Sequence, residues 1–171
     1  MIIGIGGVST AGKSRLALRL CQFLHSRNKT CRIIDQDDFV LPEEQIPQIS
    51  GRTDWEIPES INFETFKKAI VEAHEQNDVV LAVGLMVFLD TGINALFDRR
   101  IYINVSFETV RKRKNVDLRW SDKPDPEWYV MHIWQSHQKY GKPSAGYEYT
   151  TLTGESDIDL QALWGKMMVS A

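Results

Sequence analysis

Eight residues near the amino terminus, Gly7-Val8-Ser9-Thr10-Ala11-Gly12-Lys13-Ser14, satisfy every fixed position of the pattern G-x-x-x-x-G-K-[ST]. They follow the apolar run Met1 to Ile5, which suits a buried strand, and they open a stretch with helical periodicity from Lys13 to Arg27. Strand, glycine-rich turn and helix in that order make a phosphate-binding loop, or P-loop. Such a loop wraps a polyphosphate with its own backbone N–H groups, so glycine stands where a side chain would block approach or forbid the turn. The expected nucleotide contacts are Gly7, Ser9, Ala11, Gly12, Lys13, Ser14 and Arg15. Lys13 would reach the β- and γ-phosphate oxygens, Ser14 would set its hydroxyl on Mg²⁺, and the helix would add its positive end.

The same stretch partly fits the dinucleotide pattern G-x-G-x-x-G through Gly4 and Gly6, with Asp35 following at the end of a second strand. Ser9, however, stands where a third glycine or an alanine would let helix and strand pack closely. The P-loop pattern also accounts for Gly12, Lys13 and Ser14, and is preferred.

A chain of 171 residues, 43% hydrophobic and 25% charged, has the make-up of one globular domain, here residues 1–171. A net charge of −3 gives no general attraction to nucleic acid or anionic membranes. No apolar stretch is long enough to span a bilayer, and the amino-terminal run is too short and lacks a basic leader, so a cytoplasmic location is expected. Cys21 and Cys31 lack metal-type spacing and read as reduced packing residues.

Strand and helix signals alternate along the chain. Arg32-Ile33-Ile34 forms a second strand that delivers Asp35-Gln36-Asp37-Asp38-Phe39 at its carboxyl end, where ligands bind in an open parallel sheet. Three carboxylates beside a phosphate site are costly unless a metal ion or a substrate hydroxyl uses them. Residues 40–61 then lack a period and carry Pro42, Pro47 and Pro58; a loop of that length in a compact domain is usually functional. Within it Trp55 adjoins Asp54 and Glu56, a combination able to stack on a flat ring and bond sugar hydroxyls; Trp55 as a plain anchoring aromatic is the other reading.

Asn62 caps a helix from Phe63 to about Gln76, Val79 to Gly84 reads as the central strand, and Tyr102 to Val105 as a fourth. Ser106 caps a helix ending in Arg111-Lys112-Arg113-Lys114, which is either a solvated helix end or the start of a cationic lid over about 111–126. A helix over Glu127–Tyr140 carries His132 and His137 at a spacing that suits packing or surface roles and no shared metal. Tyr147–Leu152 is the fifth strand, and Ser156 with Asp159 resembles a capping box opening a last helix from Ile158 to about Val169. The expected architecture is a three-layer α/β/α P-loop fold with a mostly parallel five-stranded sheet.

On these residues the chain resembles the nicotinamide riboside kinases and, more broadly, the uridine kinase and phosphoribulokinase group of P-loop kinases. The resemblance runs through the P-loop, Gln36-Asp37-Asp38-Phe39, Trp55-Glu56-Ile57-Pro58-Glu59, Gly84 to Phe88, Arg113, Arg119 and Trp120, His132-Ile133-Trp134, Lys139-Tyr140 and Leu152-Thr153-Gly154. It implies an enzyme using ATP and Mg²⁺ to phosphorylate the 5′-hydroxyl of a nucleoside, either nicotinamide riboside or uridine and cytidine, as a monomer or homodimer. It also implies that Asp37 deprotonates that hydroxyl and, with Ser14, serves the metal. Asp38 and Phe39 border the acceptor, Trp55 and Trp120 stack on its base, and Glu56 with a lid arginine holds the ribose; that arginine is Arg119 or else Arg113, which is otherwise set against the nucleotide.

One departure stands out. Relatives carry an acid near the end of the third strand, in a segment like I-E-G-F, where this chain has Ala82-Val83-Gly84-Leu85. Either Asp35 or Asp38 compensates, or the metal is held more weakly, or the chain binds nucleotide without turnover. A kinase of another small alcohol would use the same parts.

Overall fold

In the computed structural model, which describes residues 1–117 and 125–169, the opening apolar run forms β1 (Ile2–Gly7), with all six residues buried. Burial on both faces is what a central parallel strand requires, and β5 (Val79–Gly84) shows the same pattern. These two pair in parallel, with Ile5 opposite Val83 and Gly6 opposite Gly84. On one side β5 pairs with β2 (Cys31–Asp35); on the other β1 pairs with β6 (Arg99–Asn104), which pairs with β7 (Thr150–Thr153). Among the described residues this gives a five-stranded sheet in the order β2-β5-β1-β6-β7, parallel throughout.

Alternate side chains of the strands feed two cores. Ile3, Ile5, Leu81 and Val83 meet α1 (Lys13–His25) through Leu16, Leu20 and Leu24, together with α5 (Glu127–Tyr140) through Val130 and Ile133 and α6 (Leu160–Val169) through Leu163 and Met167. Ile2, Val80, Ala82 and Tyr102 meet Phe66 and Ile70 of α2 (Phe63–Gln76), and Ile93 of α3 (Thr91–Asn94). Helices on both faces of a parallel sheet are the outcome of connections that must cross over to start the next parallel strand. α4 (Phe107–Lys114) leaves the carboxyl end of β6. Two short strands, β3 (Gln48–Ile49) and β4 (Arg52–Thr53), form an antiparallel hairpin inside the 40–61 loop, turned by Ser50 and Gly51 at φ +48° and +78°.

Asn62 and Ser106 cap α2 and α4 as the sequence leads one to expect. Several boundaries differ, α1 ending at His25 and β2 spanning Cys31–Asp35 among them. β6 begins at Arg99, because Arg99 and Arg100 find backbone partners at Met167 and Asn94 that let charged side chains lie along a strand. β7 begins at Thr150, since Tyr149 bonds Ser144 and Asn94, and Tyr147 lies under the Arg100 guanidinium. Asp159, and not Ser156, caps α6: its Oδ1 accepts from the N–H groups of Gln161 and Ala162 at 2.9 and 3.0 Å. Cys21 is buried, its thiol donating to the Cys31 carbonyl, which agrees with a packing role. Among the described residues no helix is long and apolar enough to cross a membrane.

Candidate active site

The sheet register sets the site. Gly7, Gly84 and Asp35 end the adjacent strands β1, β5 and β2, so the P-loop and the acidic turn after β2 emerge at the same carboxyl edge, one strand apart. Gly7 passes so close to β6 that a Cβ there would lie 2.5 Å from the Ile103 carbonyl oxygen. Gly12 caps α1 at φ +99°, a conformation that disfavours any side chain, while a Cβ there would meet nothing within 4 Å. Open space over a left-handed glycine at the start of a 13-residue helix is a cradle of the kind a phosphate fills. Lys13 folds back over the loop, its Nζ donating to the Val8 carbonyl at 3.1 Å.

Asp35 accepts the Asp37 N–H with its side chain and opens the 3-10 turn Gln36–Phe39. Asp37 and Asp38 are exposed at the turn and Asp35 is half-buried. Burial, then the charge of Asp37, pushes the Asp35 carboxyl above the usual range, while the Lys13 ammonium opposes them. Gln36 is sealed beneath the turn, its Oε1 accepting from Met86 N–H at 2.9 Å, which ties the ends of β2 and β5 together. Asp35 lies opposite Val83 in the parallel register, so the carboxylate missing from β5 has a counterpart one strand over.

The 40–61 loop is closed at its base by the bridge between Val40 and Ile61 and by Leu41 N–H on the Ser60 carbonyl at 2.8 Å. Asp54 shapes its tip, with Oδ1 accepting both the Glu56 N–H at 3.1 Å and His132 Nε2 at 2.8 Å. Glu56 is thereby turned inward. Its Oε2 is shut off from solvent without a hydrogen-bond partner among the described residues. Burial pushes the Glu56 carboxyl up to about 7; Lys114, Lys13 and His132 pull it down and Asp37 pushes it further up. Trp55 is 39% exposed, which suits a platform better than an anchor.

The basic run at the end of α4 separates into different partners. Arg113 donates to the Thr10 carbonyl at 2.8 Å and to the Gly154 carbonyl at 2.7 Å, spanning the P-loop and the turn after β7. Arg111 pairs with Glu127 at the surface, and Lys114 is buried against Asp125 at 3.2 Å. Phe39 packs on Phe66 at the foot of the acidic turn. Arg119 and Trp120 lie outside the described residues.

A cavity of about 280 Å³ adjoins the P-loop, bordered by Thr10, Gly12, Arg15, Arg113, Gly154 and Asp157. Arg15 and Asp157 approach to 3.7 Å, both well exposed. The 154–158 wall of this cavity is the part that sequence reasoning missed. Glu155 holds it: one carboxylate oxygen accepts Ser106 N–H, Ser106 Oγ and Thr109 Oγ1 at 2.7–2.9 Å, and these bonds bring its pKa down to about 2. A glutamate 49 residues from the helix it caps leaves no periodic trace.

The donor set fits a nucleotide carrying Mg²⁺. A helix-terminal loop and Lys13 face one side, and the hard oxygen donors Ser14, Asp35 and Asp37 flank them; Mg²⁺ takes one or two carboxylates and completes its shell with phosphate oxygens and water. Among the described residues no three His, Cys, Asp or Glu side chains cluster as a metal cage.

No protein-family model matches the chain. It is similar to nicotinamide riboside kinase 1 of Homo sapiens, 27% identical over 182 residues that cover 94% of this chain and 88% of the relative. Nicotinamide riboside kinase 2 of Mus musculus is 29% identical over 160 residues, covering 82% and 79%. Among solved structures, a possible uridine kinase from Bacillus stearothermophilus superposes with a TM-score of 0.54 at 16% identity over 84% of this chain and 86% of that one, a likeness of fold. With the strand order and the P-loop, the chain has the fold of the P-loop kinases, and along most of its length it is similar in sequence to the nicotinamide riboside kinases.

Proposed function

We propose that the chain transfers the γ-phosphoryl group of ATP to the 5′-hydroxyl of a nucleoside, with nicotinamide riboside as the first candidate and uridine or cytidine next. The observation that carries this is that Asp35 and Glu56 both feel the charges of Lys13 and of Asp37, which brings the acidic turn and the 40–61 loop together at the mouth of the P-loop. Phosphoryl transfer depends chiefly on positioning and charge neutralisation, and these side chains supply both.

Asp37, exposed beside the loop, takes the proton of the acceptor hydroxyl as its oxygen bonds to the γ-phosphorus and the bond to the β-phosphate oxygen breaks, leaving ADP. Lys13 leaves the Val8 carbonyl for the phosphate oxygens. Ser14 and Asp37, with Asp35 standing in for the acid absent at Val83, would hold Mg²⁺, which would supply neutralisation of phosphate charge. Glu56 accepts from ribose hydroxyls and Trp55 stacks on the base. The cavity at Arg113 and Gly154 takes the nucleotide base, with Arg113 as its brace. The acceptor loop spans about 40–61 of a single domain.

A panel of nicotinamide riboside, uridine, cytidine and small non-nucleoside alcohols, assayed for Mg²⁺-dependent ADP release, tests the assignment. Release with one nucleoside well above the others is expected. Release with a non-nucleoside alcohol alone would move the chain to another acceptor class.

A further inference from the structure

Lys114, the last residue of α4, is a cation only 7% exposed, which requires compensation by anions. Its Nζ lies 3.2 Å from Asp125 Oδ2, but Asp125 is shared: its Oδ1 takes Arg52 Nη2 at 3.1 Å. Arg52 belongs to β4 inside the acceptor loop, and its guanidinium sits 4.5 Å from the centre of the Tyr129 ring. Two cations on one carboxylate leave a surplus positive charge. Four residues along the loop from Arg52, Glu56 carries the sealed Oε2 that has no hydrogen-bond partner among the described residues.

We propose that Lys114 is an acceptor-positioning residue: the Lys114–Asp125–Arg52 triad docks the acceptor loop on α4 and α5, and its surplus positive charge keeps Glu56 as the carboxylate that receives the acceptor's hydroxyls. It rests on the role of Glu56 given above. The charges are consistent. Among the groups acting on Glu56, Lys114 opposes the effect of burial most, ahead of Lys13 and His132, while Asp37 works against all three. Tyr129 of α5 is held protonated by burial first, and then by the charges of Glu56, Asp125 and Asp54. With its carboxyl at about 7, Glu56 titrates near neutrality, where the loss of one cation changes its charge most.

The test is the affinity of nicotinamide riboside, measured by calorimetry between about pH 5.5 and 8.5, a range bracketing the titration. In the unmodified protein affinity falls on the acid side of about pH 7, and Glu56→Gln removes that fall and weakens binding. Lys114→Met moves the fall upward by about one pH unit, and Lys114→Arg restores it. Asp125→Asn moves it downward, because a negative charge has left the neighbourhood. Opposite shifts at the two ends of one ion pair are not what simple loosening of the loop produces. An unmoved pH dependence in Lys114→Met, or no downward shift in Asp125→Asn should Lys114→Met not fold, overturns the assignment of Lys114. Unaltered binding in Glu56→Gln overturns instead the role given to Glu56.

Discussion

Asp37 and Glu56 are both carboxylates near the P-loop lysine, yet their surroundings give them different work. Asp37 is exposed near the start of its turn, open to a hydroxyl from solvent, whereas Glu56 is turned inward by Asp54 and held against burial by cations. Asp37→Asn is therefore expected to lower kcat by about 10²–10⁴-fold with little change in the KM for ATP, since the lost group acts on the acceptor. Lys13→Ala should weaken both ATP binding and rate; equal losses in the two variants would mean that the roles are not divided. Glu56 also leaves a mark on stability. Its folded pKa, about 7, lies above the ordinary 4.5, so the native state holds the proton more tightly than the unfolded chain. Stability on this account is full below about pH 4.5 and falls as pH rises through 7. Glu56→Gln should then raise stability at pH 8, by on the order of 2 kcal/mol, and change it little at pH 4.5, as read from denaturant unfolding. The pattern G-x-x-x-x-G-K-S and the turn at Asp37 were legible in the sequence because their chemistry depends on local spacing. The inward turn of Glu56 was not, because the charges that act on it, Lys114, Lys13 and His132, come from distant parts of the chain.

At the scale of elements, α4 and the turn after β7 act as one clamp beside the P-loop. Glu155 caps the start of α4 through Ser106 and Thr109, and Arg113 near its end ties the Thr10 carbonyl to that of Gly154. Glu155 has a folded pKa near 2, below its ordinary value, so its contribution is present above about pH 4.5 and is lost as pH falls toward 2. Glu155→Gln is expected to loosen the cavity wall and raise the KM for ATP several-fold while leaving acceptor KM unchanged; a change confined to the acceptor would contradict this placement of the nucleotide. The sequence showed α4 and its cap at Ser106, and it showed the basic run, but it could not show how the run divides. Arg111, Arg113 and Lys114 point to Glu127, to two backbone carbonyls and to Asp125, which a one-dimensional charge pattern cannot separate. The ends of β6 and β7 were hidden for a related reason: Arg99 and Arg100 reach partners outside the strand, and Tyr147 and Tyr149 are held by contacts that end before it begins.

For the molecule as a whole, the order β2-β5-β1-β6-β7 puts the P-loop at the centre of the sheet's carboxyl edge, with the acidic turn on one flank and the cavity walled by Arg113 and Gly154 on the other. That order was readable in outline, since apolar runs alternating with helical periods demand a parallel sheet, whereas the pairing of neighbours is a matter of packing between distant segments. Phe66, fully buried under the sheet where Phe39 of the acidic turn packs on it, links core and site. Phe66→Ala should cost about 3–5 kcal/mol of stability in denaturant unfolding, and it should disturb the acceptor side before the nucleotide side. The central claim is that a nucleoside hydroxyl meets the terminal phosphate of ATP over this edge. ³¹P NMR of the protein with ATP, Mg²⁺ and nicotinamide riboside tests it most directly: the account predicts a new phosphomonoester signal coupled to the 5′-methylene protons, appearing in step with ADP. ATP bound and left intact, with no phosphomonoester from nicotinamide riboside, uridine or cytidine, would contradict it.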